Sequence, residues 1–242
     1  MSLRLFNPTY DILVICDENL CSKSSKTLEV FQNITVVPSP ISQTPQEASA
    51  HKLDVFLYDN VFKYDRVVYI DSDIIIHRCL DEQMNAVCDA SKLYSYCEHP
   101  EVEFHTHRYW SHVNAYSAET MKMFEEKAIG VFCAGLFAFV PSLEMKEHFA
   151  SIKQQMRVHV GDSFYEQSFM NVYFNPKQMV DVSVFTTDVF QQGKPPKDNS
   201  SNEGKIVHLC GTQPGVTKIE LMTNYIRTNI PQLNLQVPQR TK

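Results

Sequence analysis

The sequence feature that most constrains the fold is a short apolar run that ends in two aspartates. Residues 66–73 have the sequence Arg-Val-Val-Tyr-Ile-Asp-Ser-Asp, and so short a run of β-branched and aromatic residues predicts a buried strand. Side chains two residues apart project from the same face of a strand, so Asp71 and Asp73 should point together. Two convergent carboxylates at a strand's carboxyl end are hard oxygen ligands, which Mg²⁺ and Mn²⁺ prefer. The run therefore predicts a divalent cation site at the edge of an α/β sheet.

Further apolar runs have the composition of strands and alternate with segments of helical spacing. The other predicted strands span residues 10–16, 34–37, 131–140 and 206–208. The predicted helices span residues 23–31, 46–63, 117–127, 164–173 and 218–230, with one more that begins after Ser142 as its N-cap. This alternation predicts an α/β fold with a parallel-centred sheet. Because the 242 residues contain no clear linker, we predict a single domain over 1–242 with a tail at 231–242.

Charge, hydropathy and cysteine usage narrow the function classes. The formal net charge is −6 and no basic cluster occurs, so we expect no nucleic-acid partner. No run approaches the roughly 20 apolar residues that span a bilayer, and the first residues are too polar for a secretory signal. The seven cysteines are scattered without a CxxC pair, which favours reduced thiols. We therefore predict a cytoplasmic protein with no membrane span.

Four motifs occur in the order that is found in a known enzyme family. They are the acidic pair, Phe-Cys-Ala-Gly at 132–135, Glu-Gln-Ser-Phe-Met-Asn at 166–171, and His-Leu-Cys-Gly at 208–211. With these motifs the chain resembles the glycogenin-like glycosyltransferases, family 8 of the GT-A type, over residues 10–222. The resemblance implies a GT-A-like α/β fold with a mixed, largely parallel sheet flanked by helices. It also implies a metal-dependent transfer of a hexose, with glucose the first expectation, from a UDP-sugar with retention at the anomeric carbon.

The resemblance implies that Asp71, Asp73 and His208 hold the metal. A divalent cation can neutralise the charge that accumulates on a diphosphate leaving group. An imidazole ligand favours Mn²⁺ over Mg²⁺, because nitrogen ligands suit transition ions better. Mn²⁺ is therefore the expected cofactor and Mg²⁺ the alternative, unless His208 is only a structural histidine bonded to backbone.

The resemblance also implies a set of residues that bind the donor. Lys52 corresponds to a family lysine that reaches the donor phosphates, and its alternative role is that of a solvated helix residue. Gly135 allows the backbone to approach the sugar closely. Cys133 replaces an asparagine that would bond the sugar, and a thiol is a weak donor and acceptor, so either sugar recognition is altered or Cys133 only packs. The donor-binding set is Lys52, Ser72, Cys133, Ala134, Gly135, Gly211 and Lys218, the last from a later position than the family's lysine.

Glu166 and Gln167 correspond to the family's Asp-Gln pair, whose acid lies beside the reacting anomeric centre. In a retaining mechanism such an acid is a nucleophile, or it stabilises an oxocarbenium-like state during same-face attack. The sequence leaves both open, together with the alternative that Glu166 is an exposed helix residue. Asp162 is expected to supply a second acid that binds sugar hydroxyls. The predicted catalytic residues are thus Glu166, Gln167 and Asp162.

The chain departs from the family at its front and in one connection. Family members open with a strand and a helix that contact the uridine, and the strand at 10–16 corresponds to the family's second. Either Asp17, Glu18 and their neighbours rebuild the uridine site, or donor binding is impaired. Residues 94–114 are expected to be an insertion on the acceptor side, with an ordinary surface loop as the alternative. The acceptor is an unknown glycan or protein, and a homodimer is compatible with the resemblance.

Two other functions compete with the transferase. The first is a pseudo-transferase that binds a nucleotide-sugar or glycan, which the missing strand and Cys133 favour. The second is a haloacid-dehalogenase-like phosphatase, since Gly161-Asp162 followed by Glu166 imitates its second acidic motif. Against the phosphatase, the acidic pair lies far into the chain and Ile75 offers no hydroxyl. Release of UDP or of inorganic phosphate would distinguish these functions.

Overall fold

The computed structural model describes residues 2–99, 122, 131–158, 165–192, 205–210 and 216–234. The strands are β1 (Ile12–Asp17), β2 (Ile34–Ser39), β3 (Val67–Ile70), β4 (Ile74–Ile76), β5 (Leu93–His99), β6 (Val131–Phe139), β7 (Val180–Asp181), β8 (Phe190–Gln192) and β9 (Ile206–His208). The α-helices are α1 (Ser2–Phe6), α2 (Glu18–Leu28), α3 (Pro45–Ala50), α4 (Asp81–Ala86), α5 (Leu143–Val158), α6 (Tyr165–Phe174), α7 (Lys218–Asn229) and α8 (Pro231–Asn234). Two 3₁₀ helices, His51–Leu57 and Asp59–Lys63, follow α3.

The strands form three small sheets within the described residues. β1 and β2 pair in parallel. A second sheet has the order β3-β6-β5-β7, in which β6 is antiparallel to both of its neighbours and β7 is parallel to β5. A third has the order β4-β9-β8, in which β9 is antiparallel to β4 and parallel to β8. The architecture is therefore mixed α/β, with helices packed around the sheets.

β6 is the centre of the core. All nine of its residues are buried, because neighbouring strands cover both edges and helices cover its face. Phe137 and Phe139 of this strand contact the ring of Phe149 in α5, with ring centroids 6.0 and 5.2 Å apart. Such edge-to-face pairs contribute beyond the apolar area that they bury. The apolar run at 131–140 therefore forms the predicted strand and anchors the helix that follows it.

Other predicted elements keep their place but change their extent. The helix predicted at 46–63 ends at Ala50 and continues as two 3₁₀ helices, which bury Leu53, Val55 and Phe56 against the core. Ser142 accepts a hydrogen bond from the amide of Met145 at 3.0 Å, as expected of the N-cap of α5. The helix predicted at 117–127 lies almost entirely outside the described residues.

The acidic pair lies between two strands of different sheets. β3 ends at Ile70, residues 71–73 form a turn, and β4 begins at Ile74 in another sheet. The amide of Asp71 donates to the carbonyl of Gly135 at 2.8 Å, and the amide of Ile74 donates to the carbonyl of Asp71 at 3.0 Å. The prediction that both aspartates lie on the strand itself is therefore wrong. A turn, rather than strand alternation, brings the two carboxylates to one site.

A cavity of about 550 Å³ lies between β1 and β3. Among the described residues each of these strands pairs on one edge only, β1 with β2 and β3 with β6. Residues 10–15 and 66–72 line the cavity together with side chains from the first 3₁₀ helix. One end of the cavity reaches Lys52, Asp71 and Ser72, which places an internal volume directly beside the acidic pair.

Candidate functional site

The structure brings Asp71, Asp73 and His208 together from two elements. The turn after β3 carries the aspartates, and the antiparallel register of β4 and β9 places Ile74 opposite His208. The carbonyl of Asp73 also accepts from the amide of Leu209 at 3.1 Å. One ligand atom from each of the three side chains lies within 4.8 Å of the others. These three side chains therefore form a compact cluster in which a cation could contact all of them.

The chemistry of this cluster fits a divalent cation. Asp73 Oδ1 is buried and lies 3.3 Å from His208 Nε2, slightly beyond the usual length of an N–H···O hydrogen bond. A buried oxygen of this kind is costly unless a cation or donor reaches it. Burial alone would raise the pKa of Asp73, but His208 and Lys218 lower it to about 2 through hydrogen bonds and charge. Two carboxylates and one imidazole are a donor set that suits Mn²⁺.

Lys218 contacts the second oxygen of the Asp73 carboxylate. The lysine is the first residue of α7, whose N-terminus is fixed by a capping box between Thr217 and Glu220. Thr217 accepts from the amide of Glu220 at 3.2 Å, and Glu220 accepts from the amide of Thr217 at 2.8 Å. The capped helix thus holds Lys218 beside the carboxylate of Asp73, at the cluster of Asp71, Asp73 and His208, which we call the cation cluster.

Lys52 is buried, so its alternative role as a solvated helix residue is wrong. Its ammonium pairs with the carboxylate of Glu166, lies 3.3 Å from Asp71 Oδ1 and donates to the carbonyl of Ala134 at 3.0 Å. Burial opposes the charged form, but the carboxylate of Glu166 and the neighbouring Tyr69 and Asp71 raise the pKa of Lys52 above its ordinary value. The lysine therefore links the acidic pair to the predicted catalytic helix.

Tyr69 adds a hydrogen bond that sequence reasoning missed. Its hydroxyl donates to Asp71 Oδ1 at 2.6 Å, and its ring stacks on Phe137 with centroids 4.9 Å apart. Burial raises the pKa of Tyr69, and the charge of Asp71 raises it further. Tyr69 and Asp71 are two residues apart. The alternation of side chains along a strand was the sequence signal that could have predicted this contact.

Glu166 and Gln167 lie in the first turn of α6. Glu166 is 7% exposed, so the alternative of an exposed helix residue is wrong. Gln167 accepts from the amide of Ala134 at 3.1 Å and donates to Glu98 at 2.9 Å. Glu98 was missed because β5 falls in the polar segment that was expected to be an insertion. These bonds fix the start of α6 against β6, and Glu166 reaches Asp71 through Lys52.

The Phe-Cys-Ala-Gly segment packs directly against the cation cluster. A Cβ atom at Gly135 would lie 2.8 Å from Asp71 Oδ2 and 3.1 Å from His208 Cε1. Cys133 is buried, with its sulfur 3.8 Å from His208 Nδ1, and burial raises the pKa of its thiol. The absence of a side chain at Gly135 thus leaves room for Asp71 and His208. The family resemblance had predicted that the glycine makes room for a sugar.

Of the remaining predicted site residues, the structure describes Ser72 but not Asp162 or Gly211. Ser72 is exposed in the turn and lines the cavity. Asp162 and Gly211 lie outside the described residues, and so does most of 94–114, although β5 includes residues 94–99.

Asp17 lies at the end of β1 in a hydrogen-bonded group that the sequence did not reveal. Ser42 donates to Asp17 Oδ1 at 3.0 Å, and its oxygen lies 2.7 Å from His51 Nε2. His51 Nδ1 lies 2.9 Å from Asp54 Oδ2, and His51 also lines the cavity. His51 is therefore the member of this group that connects it to the cavity.

The arrangement of sheets and helices is GT-A-like. The fold is similar to the apo structure of the bifunctional glycosyltransferase WbbM, with a TM-score of 0.55 and 14% identity over 92% of this chain and 50% of that chain. Among the described residues no helix is long and apolar enough to cross a membrane.

Sequence comparison finds similarity to galactinol synthases. The chain is 24% identical to galactinol synthase 1 of Ajuga reptans, over 64% of this chain and 47% of that protein. It is 25% identical to galactinol synthase 3 of Arabidopsis thaliana, over 76% of this chain and 57% of that protein. The chain thus spans about half the length of the curated relatives that it matches, and no protein-family model matches it. These findings confirm the resemblance to the glycogenin-like glycosyltransferases of family 8.

Proposed function

We propose that the chain is a Mn²⁺-dependent retaining glycosyltransferase that transfers a hexose from a UDP-sugar to a glycan or protein acceptor. The observation that carries the proposal is the juxtaposition of three features. The cluster of Asp71, Asp73 and His208 adjoins the buried pair of Lys52 and Glu166, and both adjoin a cavity of about 550 Å³. A cavity of this size is in the range of small-molecule sites.

Each part of the site has a distinct task in this proposal. A bound divalent cation would supply Lewis-acid stabilisation of the diphosphate leaving group. Asp71, Asp73 and His208 would hold it, with Mg²⁺ as the alternative to Mn²⁺. The cavity between β1 and β3 would receive the nucleoside, with His51 in its lining and Asp17 and Ser42 beside that histidine. This assigns the uridine site to elements that the chain contains.

Glu166 and Gln167 would face the sugar that is transferred. Gln167 is oriented from both ends, by the amide of Ala134 and by Glu98, and an oriented amide can position a sugar hydroxyl. The Glu166 carboxylate is paired with Lys52, which reduces its availability as a nucleophile. This pairing favours stabilisation of an oxocarbenium-like state during same-face attack over a covalent intermediate.

Calorimetric titration with the donor tests the proposal. UDP-glucose and UDP-galactose are titrated with Mn²⁺ and with EDTA, the second sugar because the matched relatives are galactinol synthases. We expect binding that needs the cation and that falls at least tenfold, about 1.4 kcal/mol, in Asp73→Asn. The matched control is Asp59→Asn, an exposed aspartate, which should bind as the unaltered chain does.

Turnover separates the enzyme from the pseudo-transferase. Release of UDP from a bound donor, with a hexose transferred to an acceptor, supports the enzyme. Cation-dependent donor binding without UDP release for any acceptor would favour a nucleotide-sugar-binding protein. Absence of binding under every condition would contradict the donor site altogether.

A further inference from the structure

Cys133 packs in the apolar core and also lies beside His208. The thiol lies on β6, which has no exposed residue, and its sulfur is 3.8 Å from His208 Nδ1. His208 lies on β9, in another sheet. The sulfur is therefore the group on β6 that meets the ring nitrogen facing away from the acidic pair.

Three contacts define the orientation of the imidazole. Nδ1 faces Cys133, Nε2 lies 3.3 Å from Asp73 Oδ1, and Cε1 lies against Gly135, where a Cβ atom would be 3.1 Å away. Cys133 and Gly135 are two residues apart on one strand, so they share a face. Together they form a flat support for one edge of the ring and leave Nε2 directed at the cation cluster.

A histidine that ligates a cation through one nitrogen usually donates the proton on its other nitrogen to an acceptor. That hydrogen bond fixes the tautomer and keeps the ligating lone pair directed at the cation. A thiol can act as a weak acceptor and a weak donor. It can therefore accept from Nδ1–H when Nε2 binds a cation, and donate to Nδ1 when Nε2–H is bonded to Asp73.

We propose that Cys133 is a positioning residue for His208, which it holds through Nδ1 so that Nε2 is presented to the divalent cation. The proposal rests on the cation site of the proposed function. It assigns a second role to a position where the family resemblance predicted a contact with the donor sugar. The thiol acts on the histidine and not on the substrate, so its removal should change cation affinity before it changes sugar specificity.

The test measures Mn²⁺ affinity by electron paramagnetic resonance without any donor or acceptor. We expect Cys133→Ala to weaken Mn²⁺ binding about tenfold, at the lower end of the range for lost partners of ligating histidines. Cys133→Ser should recover part of the affinity, because a hydroxyl also donates and accepts. Cys88→Ala, which removes an exposed thiol, is the control and should leave the affinity unchanged.

Nitrogen-15 spectra of His208 supply a readout that a purely structural role would not change. With saturating Mg²⁺ as a diamagnetic probe, the Nδ1–H proton should be hydrogen-bonded and protected from solvent exchange in the unaltered chain, and it should exchange faster in Cys133→Ala. Equal Mn²⁺ affinity and an equal exchange rate of the Nδ1–H proton in Cys133→Ala would overturn the proposal. So would a loss of thermal stability in EDTA without a loss of affinity, because that result marks a packing role.

The two proposals fail in different ways. If the unaltered chain does not bind Mn²⁺, the cation site fails and the role of Cys133 fails with it. If the unaltered chain binds Mn²⁺ and Cys133→Ala binds it equally well, only the role of Cys133 is refuted. If Cys133→Ala does not fold, the comparison of Cys133→Ser with the unaltered chain still decides the question, since a positioning thiol predicts a changed affinity.

Discussion

Gly135→Ala should damage the cation cluster while leaving the strand that carries it intact. Gly135 lies within β6, and an extended backbone accepts alanine readily. The added methyl would lie 2.8 Å from Asp71 Oδ2 and 3.1 Å from His208 Cε1. Both distances are shorter than ordinary contacts of a methyl carbon, which lie near 3.5–4.0 Å. Either the two side chains or the strand must therefore move.

The expected magnitude follows from what holds those side chains. The other oxygen of Asp71 is fixed by the Tyr69 hydroxyl at 2.6 Å and lies 3.3 Å from Lys52, so the carboxylate cannot rotate away without losing these contacts. Overpacking in a close-packed region costs about 1–3 kcal/mol. Displacement of two candidate ligands by several tenths of an ångström should lower Mn²⁺ affinity at least tenfold, or about 1.4 kcal/mol.

The assay compares thermal unfolding with and without the cation. In EDTA, Gly135→Ala should lose about 1–3 kcal/mol of unfolding free energy. In Mn²⁺ the unaltered chain should gain stability according to the ratio of free cation to dissociation constant, and the variant should gain much less. A variant that folds and gains as much from Mn²⁺ as the unaltered chain would refute the claim that the glycine makes room for the ligands.

Two further perturbations test the charges of the site. Lys52→Met should destabilise the chain by about 3–5 kcal/mol, because it leaves the carboxylate of Glu166 buried without its partner. Urea unfolding should show this loss. An unchanged free energy of unfolding would mean that the pair is not buried in solution. Adding Glu166→Gln to that variant should restore part of the loss. The lowered pKa of Asp73 predicts that its contribution is complete above its ordinary value of 3.8 and is lost as the pH falls to about 2. Acid unfolding between about pH 4 and pH 2 should therefore be less steep in Asp73→Asn, and an identical slope in both chains would contradict the assignment.

The sequence predicted strands well where apolar residues dominate and poorly where a strand carries polar groups. β6 is apolar throughout and its bounds were predicted within one residue. β5 was missed because it contains Ser95 and Glu98. Ser95 is buried and donates to the carbonyls of Cys133 and Leu136 at 2.7 and 2.8 Å. A polar side chain that is satisfied by a neighbouring strand cannot be distinguished in sequence from a solvated one.

The candidate ligands were predictable as residue types, but their geometry was not. The alternation rule placed Asp71 and Asp73 on one face of a strand, whereas the structure joins them through a turn between two sheets. The burial of Lys52 was likewise hidden, because its partner Glu166 is distant along the chain and only the packing of α6 on β6 joins them. Local patterns determine which elements form, and tertiary contacts determine which charges become buried.

The four residues of the Phe-Cys-Ala-Gly segment connect every part of the site. The amide of Phe132 donates to Asn171 in α6 at 2.9 Å. The backbone of Ala134 binds α6 through its amide and Lys52 through its carbonyl. The carbonyl of Gly135 receives the amide of Asp71.

Backbone bonds made by one buried strand thus position the acid of α6, the buried lysine and the acidic turn relative to one another. Because these bonds come from the main chain, they persist when a side chain on the strand is replaced. A thiol can therefore replace the family's asparagine at position 133 without loss of these backbone hydrogen bonds. The change affects the contacts of that side chain, among them the ring of His208.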